Sequence, residues 1–103
     1  MLRTILIHKA KDPGKLMPFI IEDRNEAMKQ KGYITGETLV DTEDPSKVIV
    51  MTTWQSPEDR KAWDTSEKRL KLKEKIDELL EEPYQVSTYQ HYLVRNGRVW
   101  SAL

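Results

Sequence analysis

The sequence predicts an α+β domain in which the order strand, helix, strand occurs twice. Two observations support this class. Short segments rich in aliphatic and β-branched residues alternate with amphipathic segments of helical period, and Pro and Gly residues stand between them. Two such units form a four-stranded antiparallel sheet with the helices on one face, the ferredoxin-like split β-α-β arrangement. A chain of 103 residues is expected to be one domain spanning 1–103.

The first unit begins with LRTILIHK at residues 2–9, whose aliphatic content indicates a strand. Pro13 and Gly14 indicate a turn over residues 11–15. Residues 16–31 are predicted to form an amphipathic helix, and Gly32 suits its end. The apolar face of this helix contains Leu16, Ile20 and Ala27.

Two further strands follow the first helix. The strand at residues 32–42 contains Gly36, which indicates a weak point or a bulge. The strand at residues 47–55 is apolar almost throughout, so we expect it to be central and buried on both faces.

The second unit continues with two capped helices. Ser56 is expected to cap a short helix that ends near Asp64, with Pro57 in its first position and Asp59 completing a capping box. Ser66 is expected to cap the next helix. The apolar face of that helix is predicted to contain Leu72, Ile76, Leu79 and Leu80.

The chain is predicted to close with a last strand and a turn. Residues 84–94 form that strand, and Asn96-Gly97 is a turn dipeptide. The mixed charges of residues 67–82 indicate a solvated helix face with pairs at spacing four, not a binding patch.

Composition excludes several classes of function. Lys plus Arg and Asp plus Glu both number 17, which removes the electrostatic case for nucleic acid or an anionic membrane as partner. The absence of Cys excludes disulfides and thiolate chemistry and suits a cytoplasmic protein. The two histidines, His8 and His91, are a weak metal signal without a carboxylate partner, so no metal is expected.

The predicted sheet has apolar residues on both faces, and the helices can cover only one. Ile5 and Ile7 alternate with Leu6 on the first strand, and Ile49 and Met51 alternate with valines on the central strand. A second copy of the chain, packed sheet to sheet around a two-fold axis, is the expected cover. Trp100 in the tail is expected to reach that copy. On this view the domain is a homodimer, and its small-molecule chamber depends on the pairing.

Residues 31–66, KGYITGETLVDTEDPSKVIVMTTWQSPEDRKAWDTS, carry a family resemblance. A strand that ends in Trp-x-Ser, a short capped helix and then Ala-Trp-x-x-Ser resemble the antibiotic biosynthesis monooxygenase (ABM) family of dimeric ferredoxin-like proteins. The resemblance implies a sheet-to-sheet dimer forming an α/β barrel, with a pocket between sheet and helices in each subunit. It also implies oxidation of an aromatic or other oxidisable small molecule without metal, flavin or other cofactor.

The heme-degrading branch of the family is not supported. Members of that branch use an asparagine on the first strand, a tryptophan at the end of the short helix and a histidine ten residues further along the helix. Trp63 matches, but Ile7 and Lys73 stand at the other two positions. Heme degradation by that route is therefore rejected.

Each candidate site residue has a functional and a structural interpretation. His8 and Trp63 are the candidate catalytic residues: His8 as a proton acceptor with a suitable pKa, Trp63 as a pocket wall or as a hydrophobic plug. Candidate substrate-binding residues, for which packing or salt bridging is the alternative, are Tyr33, Trp54, Tyr89, His91 and Arg24.

Three functions remain open from the sequence. The first is a cofactor-independent monooxygenase. The second is a non-catalytic dimeric binding module for a hydrophobic small molecule. The third shields or isomerises a reactive intermediate. Fold analogy carries the first, because no residue set requires catalysis.

Overall fold

The computed structural model describes residues 1–95 and 98–101, with side chains described for residues 1–92. The expected turn at Asn96-Gly97 and the side chain of Trp100 lie outside this part. The elements in chain order are β1 (Leu2–Lys9), α1 (Pro13–Ala27), β2 (Tyr33–Val40), β3 (Lys47–Trp54), α2 (Pro57–Asp64), α3 (Glu67–Glu78), β4 (Gln85–Gln90), β5 (Tyr92–Arg95) and β6 (Arg98–Ser101).

The four long strands form one antiparallel sheet in the order β2-β3-β1-β4. The helix α1 connects β1 to β2, and α2 and α3 connect β3 to β4. This confirms the ferredoxin-like fold class. It also confirms that the apolar strand β3 is central, since β1 and β2 flank it.

Helix α1 begins earlier than its apolar pattern predicted, so the assignment of Pro13 and Gly14 to a turn was wrong. Asp12 is the N-cap, and its Oδ1 accepts from the backbone N–H of Gly14 at 3.0 Å and of Lys15 at 3.4 Å. Proline suits the first helical position because its missing N–H would have no partner there. The helix also ends earlier, at Ala27.

The predicted strand at 84–94 is two strands, β4 and β5, with His91 between them. Gln90 pairs with Leu2, the first residue of β1, so the sheet offers no further partner strand beyond that point. The His91 N–H donates instead to the carbonyl of Met1 at 3.0 Å. Residues 92–95 then pair with residues 98–101 as a separate two-stranded sheet.

The two faces of the sheet differ in burial. The helix-covered face holds the main core cluster, whose buried members are Ala10, Leu16, Ile20, Val48, Val50, Ile76 and Leu80. On the opposite face Ile5 pairs with Met51 and Ile7 with Ile49, and all four are only partly buried. We call these four residues the open apolar face. No helix of the described residues is long and apolar enough to cross a membrane.

Gly36 is required by a close contact on the helix-covered side of β2. A Cβ atom at this position would clash with the Tyr33 hydroxyl. The irregularity in the pairing of β2 with β3 lies just before it, between Tyr33 and Thr35. The irregularity expected at Gly36 therefore lies at Ile34, two residues earlier.

Candidate functional site

A cavity of about 240 Å³ lies between the covered face of the sheet and the three helices. Its apolar lining comes from both layers: Leu6, Ala27, Val50, Trp54, Trp63 and Leu70. Its ionisable lining residues are Asp23, Arg24, Arg60, Asp64, Arg69, Lys73 and Tyr84. The cavity is lined by residues of one chain and lies between sheet and helices, where the family resemblance implied a pocket in each subunit.

Trp54, the last residue of β3, and Trp63 of α2 both line this cavity. Trp54 is 1% and Trp63 5% exposed, and they share a buried cluster with Ala27. The Trp54 indole N–H donates to Thr52 Oγ1 at 3.2 Å, and Tyr33 packs edge-on against the Trp54 ring with centroids 5.5 Å apart. Both rings are therefore part of the buried core and also form the wall of the cavity. For Trp63, the pocket-wall and hydrophobic-plug interpretations hold together.

Local capping sets the positions of the helical site residues. Ser56 Oγ accepts from the Asp59 N–H and donates to Asp59 Oδ2, which starts α2, and Trp63 is the last residue but one of this helix. Ser66 Oγ accepts from the Arg69 N–H at 3.2 Å, which starts α3. The N-caps Ser56 and Ser66 confirm the sequence-based prediction. In place of the expected capping box, the Asp59 carboxylate accepts from the Ser56 hydroxyl.

A buried ion pair crosses the cavity between helices. Arg69 Nη1 donates to Asp23 Oδ1 at 3.0 Å, and the two side chains are only 5% and 15% exposed. The other terminal nitrogen of Arg69 donates to the Tyr84 hydroxyl at 3.2 Å. The residues of this Asp23–Arg69–Tyr84 cluster come from α1, α3 and the segment before β4, and all three line the cavity.

Burial raises the pKa of Asp23 above its usual range, because desolvation outweighs the attraction of the Arg69 guanidinium. A carboxylate of this kind accepts a proton more readily than a solvated one. Lys73 does not accept a proton in this way, because its hydrogen bond to Asp77 raises its pKa and keeps it cationic. Asp23 is therefore a cavity-lining carboxyl group that holds a proton to a higher pH than a solvated aspartate does.

Two further arginines line the cavity in different ways. Arg24 donates to the carbonyl of Gly36 at 3.1 Å and so ties α1 to β2. Arg60 pairs with Asp64 at 3.0 Å within α2, where Asp64 is 40% exposed. The Arg60–Asp64 pair is thus more exposed to solvent than the buried Asp23–Arg69 pair.

The structure brings together three of the seven sequence-predicted site residues, Trp63, Trp54 and Arg24. Tyr33 lies behind Trp54 and is not part of the lining. Tyr89 is 57% exposed on the uncovered side of the sheet, opposite Arg3. His91 follows the end of β4, and its Nδ1 donates a hydrogen bond to the Met1 carbonyl oxygen at 3.1 Å.

His8 lies in the core, next to the cavity rather than in its wall. Its Nδ1 is 3.1 Å from the Val48 carbonyl oxygen, which only accepts, so Nδ1 carries the proton. Its ring stands 5.2 Å from that of Tyr84. Burial lowers the pKa of His8, so the neutral ring is favoured.

Sequence reasoning missed Asp23, Arg69 and Tyr84. The run at residues 67–82 was predicted to be a solvated face. This was wrong for Arg69, which is 4% exposed, but right for the spacing-four pairs Glu67–Lys71 and Lys73–Asp77. Arg69 precedes the buried Leu72 by three residues, and Asp23 lies midway between the buried Ile20 and Ala27. A charged residue inside an apolar stripe was the available signal.

Among the residues whose side chains are described, no group of three or more His, Cys, Asp or Glu could hold a metal ion.

Comparison with known proteins places this chain in a family. The family model for antibiotic biosynthesis monooxygenase matches residues 20–75, which contain Asp23, Trp54, Trp63 and Arg69. The chain belongs to the ABM family. No curated protein matches it.

Solved structures of this family share the fold. SnoaB, a cofactor-independent oxygenase from Streptomyces nogalater, is similar with a TM-score of 0.83 at 7% identity, over 92% of this chain and 96% of that one. A candidate antibiotic biosynthesis monooxygenase from Deinococcus radiodurans has a TM-score of 0.84 at 10% identity, over 93% and 97%. One from Nitrosomonas europaea has 0.80 at 15%, over 86% and 96%. At these identities the likeness shows the fold alone.

Proposed function

We propose that this ABM domain is a cofactor-independent monooxygenase of small phenolic compounds with one or two rings. The observation that carries the proposal is the cavity, in which two buried tryptophans face a buried carboxylate and guanidinium. Ligand sites combine an apolar wall with a few convergent polar groups in this way. The membership in a monooxygenase family supports the same chemistry.

The cavity volume bounds the size of the substrate. A dry cavity of about 150 Å³ holds benzene, whereas sites for drug-sized ligands begin near 300 Å³. The 240 Å³ of this cavity therefore suit one ring or two fused rings. A two-ring phenol such as 1-naphthol is a better probe than a three-ring anthrone.

The proposed reaction uses dioxygen as the oxidant. The phenol loses its proton to a protein base, and the phenolate passes one electron to dioxygen. The resulting phenoxyl radical and superoxide combine at the para carbon, and the peroxide anion formed there takes the proton back from the base. The hydroperoxide then loses water, with the hydrogen of the para carbon, to leave a carbonyl. One 1-naphthol and one dioxygen thus give one 1,4-naphthoquinone and one water. The protein contributes shape, exclusion of water and the proton acceptor.

Oxygen uptake with 1-naphthol tests this proposal. We expect uptake above the buffer rate with matching formation of quinone. At a pH below the ionisation midpoint of the bound naphthol, Asp23→Asn should lower the rate about a hundredfold or more, because a positioned general base contributes about 10²–10⁴-fold. His8→Ala tests the sequence-based candidate base, and Trp63→Phe tests the wall. Tight binding of 1-naphthol without oxygen uptake would favour the non-catalytic binding module, and no binding would refute both.

We also propose that the protein is a homodimer joined through the open apolar face. Ile5, Ile7, Ile49 and Met51 stay only partly buried in one chain. The Nε of Arg3, on the same face, is buried without a hydrogen-bond partner among the described residues. A second copy would cover the four apolar side chains and supply a hydrogen-bond partner for the Arg3 Nε. Light scattering should give twice the 12.1 kDa chain mass, and the single mass would refute the dimer.

A further inference from the structure

The Asp23–Arg69–Tyr84 cluster retains unused hydrogen-bonding capacity inside the cavity. A guanidinium has five N–H donors, and the side-chain bonds of Arg69 are those to Asp23 and Tyr84. An ionised carboxylate has about four lone-pair sites, and Asp23 receives one bond, from Arg69. A ligand oxygen at this point can therefore donate to Asp23 and accept from Arg69 without breaking a bond already present.

Stability alone is a weak reason for a buried ion pair at this place. Removing two charges from water costs about as much as their attraction returns, and apolar replacements of similar volume are often neutral or better. The neighbouring lining residues Leu6, Ala27, Val50 and Leu70 show that the cavity wall is otherwise apolar. A charged cluster in an apolar pocket suits the recognition of one polar group on an otherwise apolar molecule.

We propose that the Asp23–Arg69–Tyr84 cluster is the subsite for the acidic hydroxyl group of the aromatic ligand. Asp23 accepts the hydroxyl proton, while Arg69 and Tyr84 donate to the oxygen and stabilise the anion that forms. The aromatic body then lies toward the tryptophan wall of the cavity. This inference rests on the proposed function, because it needs a phenol in the cavity.

The charged groups around Asp23 define what a titration will report. Arg69 on α3 is its bonded partner, Asp64 on α2 and Glu22 on α1 are the nearby anions, and the cavity also contains three further cations. These cations are Arg24, Arg60 and Lys73. Asp64 is the matched control position, because it is also a cavity aspartate paired with an arginine at 3.0 Å.

The probe for the experiment is 4-nitrophenol, a one-ring phenol that ionises near neutral pH and absorbs visible light only as the anion. Binding is followed by tryptophan fluorescence, and ionisation of the bound probe by absorbance across pH. In Asp23→Asn, Arg69 loses its compensating anion and faces the probe oxygen alone. The titration midpoint of the bound probe should fall by about 1 to 3 pH units relative to wild type.

The control and the contrary outcomes are distinct. Asp64→Asn should move the midpoint of the bound probe much less than Asp23→Asn does, because Asp64 is 40% exposed and solvent screens its charge. If the probe binds but its titration is the same in Asp23→Asn as in wild type, the pair only fastens α1 to α3, and the subsite is refuted while the cavity proposal stands. If Asp64→Asn alone shifts the midpoint, the hydroxyl lies at the other pair. Absence of saturable binding refutes the subsite and the proposed function together.

Discussion

Removing Arg69 should destabilise this protein far more than removing the whole ion pair. The Arg69 side chain is 5% exposed and that of Asp23 15%, so Arg69→Met leaves a poorly solvated carboxylate without its bonded cation. Breaking a buried pair from one side costs about 3–5 kcal/mol of the free energy of unfolding. A domain of this length loses about 4–8 °C of melting temperature per kcal/mol, so the midpoint should fall by at least about 12 °C.

The double variant Arg69→Met with Asp23→Leu supplies the decisive comparison. It removes both charges and fills the space with apolar groups, so it should recover most of the loss and come within about 1 kcal/mol of wild type. Urea unfolding followed by circular dichroism measures all four members of the cycle at one protein concentration, since a dimer's stability depends on it. If the single variant loses less than about 1 kcal/mol, or the double loses more than the single, the pair is not a desolvated charge pair and this reasoning is wrong.

Two further predictions concern Asp23 and Gly32. Because the pKa of Asp23 is raised in the folded state, the folded state binds its proton more tightly than the unfolded state does. The free energy of unfolding of wild type, minus that of Asp23→Asn, should therefore fall as pH rises from about 4 through the raised pKa. Urea titrations at several pH values measure this difference, and a difference that rises over this range would contradict the raised pKa. Gly32 has φ of +86° and packs against the Asp59 side chain, so Gly32→Ala should cost at least about 1 kcal/mol, whereas an unchanged unfolding midpoint would show that the backbone relaxes freely.

Features set by neighbouring residues were predictable from the sequence. The caps at Ser56 and Ser66 and the strand at residues 2–9 follow from local hydrogen bonding and side-chain pattern, and all three were right. The end of β4 at Gln90 was not predictable, because it depends on where β1 begins. A strand continues only while a partner strand lies beside it.

The candidate site was predictable only where an aromatic ring marked it. Trp54 and Trp63 stand out in any sequence, and both line the cavity. Asp23 and Arg69 are 46 positions apart and look like two of many surface charges. Their pairing depends on how α1 packs against α3, which a residue pattern on either helix alone does not specify.

A crystal structure of the protein with 1-naphthol tests the central claim most directly. We predict that the naphthol ring lies between the sheet and the helices against Trp63, with its oxygen within hydrogen-bond distance of Asp23 and Arg69. A ligand bound elsewhere, or a cavity that stays empty at saturating 1-naphthol, would contradict the account.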